Sequence, residues 1–331
     1  MISYFSTGYL SRYIWLLLLA IIIWMPSILF PVYYSGISSY AFNQITLLTA
    51  QNIYIQTITS FIITLITAFL LNKFAIDNGL SGKISTLIAL LYILLTSSLV
   101  GEFHNNPVIW INFILIFVLN NLMRLPYVTN KIPVVFNASF LLGIASLFYS
   151  PLVFFIATIW VSIIIHRVVT WRNFAVTLIG ILLPYVFVLT WFFVSDNLLE
   201  DSYLLFNILK IDIAPVLITD PVEIIISVIL LTIIIISAFG IAGRLTEKNI
   251  NLRRNLMINL FYAVIAFLIL LFFDKSLVST LLLSIPAALI MGHWLSCIKK
   301  TFWYDLPFTL VTILIILNQY LYLLYTAILS L

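Results

Sequence analysis

A chain of 331 residues in which 64% are hydrophobic and only 8% charged cannot cover a soluble fold, because an ordinary soluble domain carries about 25% charged residues. The 15 basic and 11 acidic residues give a net +4, too sparse for a nucleic-acid surface, so the placement of the charges matters more than their sum. The single cysteine, Cys297, excludes an internal disulfide and a cysteine-rich metal site.

A membrane span needs about 20 apolar residues to cross about 30 Å of hydrocarbon. In chain order that ruler predicts segments at roughly 13–31, 53–72, 84–101, 108–123, 134–149, 151–166, 174–195, 222–242, 256–273, 276–297 and 306–329. The first follows Arg12, is longer than a signal-peptide core and has no small-residue cleavage site after it, so it reads as an uncleaved span. Tyr149-Ser150-Pro151 breaks the apolar run 134–166, and proline there predicts a tight or re-entrant hairpin that returns the chain to its starting side. The expected fold is an all-α polytopic bundle of about eleven segments forming one membrane domain over 1–331.

Charge orients this map. With the loops taken alternately, one side holds Arg12, Lys73, Lys83, Arg124, Lys131, Arg167, Arg172, Arg244, Lys248, Arg253, Arg254, Lys299 and Lys300, while the other holds only Lys210 and Lys275. Basic residues near segment ends mark the cytoplasmic side. The expectation is N-terminus in and C-terminus out. A single crossing at 134–166 would invert every later cluster. Most carboxylates, Glu102 and Asp196 to Glu223 among them, then fall on the outer side.

Two outer loops are longer than the rest. In 31–52, Ala41, Ile45 and Leu48 recur at helical spacing, and 196–221 contains the apolar run 203–213. Both predict interfacial helices.

No metalloprotease, phosphate-loop, nucleophile-elbow or Cys-x-x-Cys spacing occurs, so no motif fixes a reaction. The span interiors are almost free of ionisable groups, which argues against ion-coupled transport. His293 reads as a helix contact and Cys297 as a small core residue. Ser139, Gly143 and Ser146 share one helix face and read as packing. Pro184 and Pro286 predict kinks.

Three sets of residues could carry chemistry. Glu102 and His104 share a short outer loop, where a general base could meet a lipid headgroup. Asp196, Glu200 and Asp201 could hold a divalent cation or aid phosphate binding. Arg244, Lys248, Arg253 and Arg254 form the densest basic cluster, suited to anionic lipid headgroups.

The stretch from Asn137 to Pro151, followed by Trp160, Arg167, Trp171-Arg172, Gly180 and Pro184-Tyr185, resembles an uncharacterised family of Bacteroidota inner-membrane proteins. The resemblance is specific over 137–185 and implies a bacterial inner membrane, with no activity to carry over. In layout the chain also resembles C-fold glycosyltransferases, which act on polyprenyl-phosphate-linked sugars. They too start in the cytoplasm and carry interfacial helices in the first outer loop and in the loop after the seventh span. Those enzymes place a catalytic acid in the first outer loop, whereas residues 31–52 here contain none. The likeness therefore implies Glu102 as base and a polyprenyl-phosphate donor at the outer face. Two other readings stand beside it: a non-catalytic accessory subunit of a larger membrane complex, and a lipid or small-molecule carrier.

Overall fold

The computed structural model describes residues 5, 10–32, 39–49, 51–82, 85–98, 106–195, 221–273, 277–297 and 302–329. All regular secondary structure among them is helical. Twelve α-helices follow in chain order: α1 (Leu10–Leu29), α2 (Tyr40–Leu48), α3 (Ile53–Asp77), α4 (Leu87–Thr96), α5 (Pro107–Arg124), α6 (Ile132–Phe148), α7 (Ile156–Ile165), α8 (Trp171–Val194), α9 (Pro221–Ala242), α10 (Ile250–Phe273), α11 (Ser284–Ser296) and α12 (Phe302–Leu329). Seven of them, α1, α3, α5, α8, α9, α10 and α12, are long and apolar enough to cross a membrane. They mark the chain as a multi-pass membrane protein. The other four predicted segments are shorter apolar helices, two of them extended by a 3₁₀ turn.

The long helices are arranged for lipid rather than water. On α3 the buried face is polar, with Gln56, Thr57, Ser60, Thr64 and Thr67 inside, while Ile55, Ile58, Ile62 and Ile66 point out. Thr64 Oγ1 donates to the Ser60 carbonyl at 2.9 Å and Thr67 Oγ1 to that of Ile63 at 2.6 Å, so the hydroxyls are satisfied on their own helix. A soluble helix shows the opposite pattern. On α1, Leu16, Ala20, Ile23 and Trp24 face the bundle while Trp15, Leu18, Ile21 and Ile22 face away.

Side chains start the helices. Asn52 Oδ1 accepts from the Tyr54 and Ile55 amides, and Asn106 Oδ1 from those of Val108 and Ile109, with Pro107 at the first turn of α5. Each cap satisfies amides that a helix start leaves open. A helix is present over the predicted stretch 41–48 as α2, capped by Ser39, with Leu47 and Leu48 exposed. Its counterpart at 203–213 lies outside the described residues.

The predicted span 84–101 has a different form. Its helix, α4, has only ten residues, about 15 Å of rise, and all of them are buried between α3 and α11. Non-helical backbone at both ends is held by protein. The Thr86 amide donates to the Phe5 carbonyl at 3.0 Å. At the other end Ser97 Oγ accepts from Trp24 Nε1 and the Ser97 carbonyl from Gln319 Nε2, each at 3.0 Å. Such backbone is tolerated at membrane depth only where protein supplies its partners.

The segment at 276–297 is also broken. A 3₁₀ turn, Leu277–Leu283, runs into α11, and Pro286 sits in the first turn after the junction rather than kinking a continuous helix. Two asparagines grip this junction. Asn112 Nδ2 on α5 donates to the Leu281 carbonyl at 3.0 Å, and Asn259 Nδ2 on α10 to that of Pro286 at 3.2 Å. Both asparagines are fully buried. Asn112→Leu is expected to cost about 1 kcal/mol, read as a lower thermal midpoint of the detergent-purified protein.

The hairpin at 134–166 turns at Tyr149, whose backbone is extended, and Pro151 opens the 3₁₀ turn Ser150–Phe155 ahead of α7. Helix α6 rises about 25 Å and the return limb about 27 Å. Small residues hold α6 against α8. A Cβ on Gly143 would lie 2.7 Å from the Ile181 carbonyl oxygen and 2.9 Å from Pro184 Cγ. Gly180 faces Ser139, and Tyr185 Oη donates to Ser146 Oγ at 2.9 Å.

Candidate functional site at the basic end of the bundle

Glu102, His104, Asp196, Glu200 and Asp201 lie outside the described residues. Among those described, no group of three His, Cys, Asp or Glu side chains could hold a metal ion. The basic cluster is described in full.

Arg244 and Lys248 flank the 3₁₀ turn Leu245–Glu247 that joins α9 to α10, and Arg253 and Arg254 lie near the start of α10. Arg244 is exposed; Lys248, Arg253 and Arg254 are half-buried. The start of α10 carries no acidic residue in its first turn. The positive end of a helix dipole and four basic side chains therefore flank one turn that holds a single carboxylate, Glu247, an excess of positive charge that favours an anion.

The cluster reaches two neighbouring histidines. Arg254, with Lys131 at the start of α6, bears on His166 at the end of α7. His166 is buried, and among the described residues neither ring nitrogen makes a hydrogen bond of normal geometry. Burial first, then the charges of Arg254 and Lys131, push its pKa down to about 4, against an opposing pull from the Leu122 carbonyl. The next residue closes the helix. Arg167 adopts φ 58°, its amide donates to the Ile164 carbonyl and that of Val168 to the Ile163 carbonyl, each at 3.0 Å. This is a Schellman ending with arginine at the position glycine usually fills.

Lys248 reaches the other histidine through sulfur. Its Nζ lies 3.3 Å from Cys297 Sγ at the end of α11. One turn earlier, His293 Nε2 lies 3.8 Å from the same sulfur. His293 Nδ1 is 2.8 Å from the Leu80 carbonyl, which can only accept. That contact puts the ring proton on Nδ1 and leaves the Nε2 lone pair facing the thiol. Once the thiol proton has moved to Nε2 the ring is an imidazolium that donates to the sulfur anion. That hydrogen bond chiefly, with the charges of the ring and of Lys248, draws the thiol pKa down to about 7 against the opposing effect of burial.

Sequence reasoning missed this arrangement by treating His293 and Cys297 separately. Their four-residue spacing on a helix was the available signal, because it puts both side chains on one face. The Leu80 carbonyl carries no signature in sequence.

No protein-family model matches the chain, and no match was found among curated proteins or among solved structures.

Proposed function

We propose that this chain is a multi-pass protein of the bacterial inner membrane that serves cell-envelope biogenesis by holding a phosphate-bearing lipid of the polyprenyl-phosphate class. In this reading all eleven segments cross, with the basic end cytoplasmic. The observation that carries it is the placement of Arg244, Lys248, Arg253 and Arg254, against the single carboxylate of Glu247, around the α9–α10 turn and the start of α10. A phosphate monoester at a membrane surface meets the charge, hydrogen-bonding and location that such a region offers. The exposed interfacial helix α2 agrees with a layout like that of the C-fold glycosyltransferases. Group transfer by Glu102 with His104, aided by Asp196, Glu200 and Asp201 through a divalent cation or phosphate, would act on a separate donor lipid in the outer leaflet, about 30 Å from the headgroup held at the basic end.

The accessory-subunit reading loses one support. The small-residue face of Ser139, Gly143 and Ser146 is spent on α8 of the same chain, so it is not free for a partner helix.

Native mass spectrometry of the protein, extracted in mild detergent from its own membrane, tests the proposal. Retention of a polyprenyl-phosphate lipid is expected, with about tenfold less in an Arg253→Gln, Arg254→Gln double variant, which is the loss of a charge-assisted contact worth about 1.4 kcal/mol. A fixed-ratio protein partner with no such lipid would establish the subunit reading instead.

A further inference from the structure

We propose that Cys297 is a reactive thiolate site that takes small hydroperoxides arriving at the basic end of the bundle. The site is built from separate parts of the chain: a nucleophile and a base one helical turn apart on α11, a cation from the α9–α10 connection, and a carbonyl just beyond α3. The Leu80 carbonyl fixes the His293 tautomer, so Nε2 is the atom that accepts the thiol proton at 3.8 Å. Lys248 at 3.3 Å stabilises the sulfur anion that results. A nucleophile, a base and a group that orients the base are the signature of an activated thiol. The drawn-down pKa agrees with this geometry. Cys297 is partly exposed, which admits a small reagent.

The step balances within the site. His293 takes the thiol proton, and the sulfur anion attacks one peroxide oxygen. The S–O bond forms as the O–O bond breaks, and the departing alkoxide or hydroxide recovers the proton from His293. Sulfur is oxidised by two electrons to the sulfenic acid, and the hydroperoxide is reduced to an alcohol or water. The chain has no second cysteine to resolve this product. Regeneration therefore requires two equivalents of an external low-molecular-mass thiol: the first forms a mixed disulfide and expels water, and the second frees Cys297 and leaves as the external disulfide.

A single cysteine makes the test direct, since every thiol adduct in the intact mass belongs to Cys297. Alkylation of the full chain in detergent by iodoacetamide should show a rate midpoint near pH 7. Lys248→Met, at a half-exposed loop position, and His293→Gln should each move that midpoint towards the ordinary thiol value of about 8.5 and slow the reaction several-fold at acidic pH. Hydrogen peroxide followed by dimedone should label the wild type and label both variants less. A wild-type midpoint at or above about 8.5 overturns the proposal, as do identical midpoints in all three proteins. Alkylation near neutral pH without any dimedone adduct overturns the assignment of hydroperoxides. These readouts do not depend on lipid binding, so the two proposals can fail separately.

Discussion

Gly143→Val is expected to unseat α6 from α8 and to leave little monodisperse protein after extraction. The obstacle is backbone. The first added carbon would lie 2.7 Å from the Ile181 carbonyl oxygen and 3.1 Å from Ile181 Cα, neither of which can rotate away. The nearest side-chain atom, Pro184 Cγ at 2.9 Å, belongs to a rigid ring. Overpacking of this kind costs about 1–3 kcal/mol for one added group and more for a branched one. Gly143→Ala should therefore be intermediate between wild type and valine. Gly82→Ala is the control, since among the described residues nothing lies within 4 Å of a Cβ there, and it should stay within about 0.5 kcal/mol of wild type. Thermal midpoints followed by size-exclusion chromatography provide the readout. If Gly143→Val matched Gly82→Ala, the α6–α8 contact would be wrong.

His166 should make the folded protein sensitive to mild acid. Its pKa is pushed from 6.5 down to about 4, so the unfolded chain binds the proton more readily than the folded one. Its contribution to stability is then fully present above about pH 6.5, falls as pH drops towards about 4, and is flat below that. The total is on the order of 3 kcal/mol from the size of the shift, and less wherever water reaches the ring. His166→Phe keeps a ring in the buried site and removes the titration. Its thermal midpoint should lose less than that of the wild type between pH 7.5 and pH 5, and equal losses would refute the assignment.

The two residues differ in how much of their role could be read in advance. Gly143 belongs to a run whose spacing announces close helix packing, and the structure shows which helix it meets. The turn at Pro151 was legible for the same reason: local chemistry dictates it. The seven long helices follow from apolar runs long enough to need no further signal. α4 was not legible as a ten-residue helix, because an unbroken apolar run has no period to mark where the helix stops. Its ends are set by partners such as Gln319, which is 222 residues away from Ser97 in sequence. The site at Cys297 was hidden likewise. Lys248 is 49 residues from it, and Leu80, 213 residues from His293, contributes only its backbone.

The enclosure of α4 sets an order for biogenesis. A ten-residue helix is half the length that holds a span in lipid, and among the described residues the carbonyl of Ser97 takes its hydrogen bond from Gln319 on α12. The last third of the chain must therefore be synthesised before the middle of the bundle can settle. Until then α4 needs shelter, from the insertion machinery or from α3. A ribosome-stalled chain ending before α11 should remain cross-linkable to that machinery, whereas one extended past α12 should be released. Folding here waits for the far end of the message, and truncations that look harmless from the C-terminus should act at the centre.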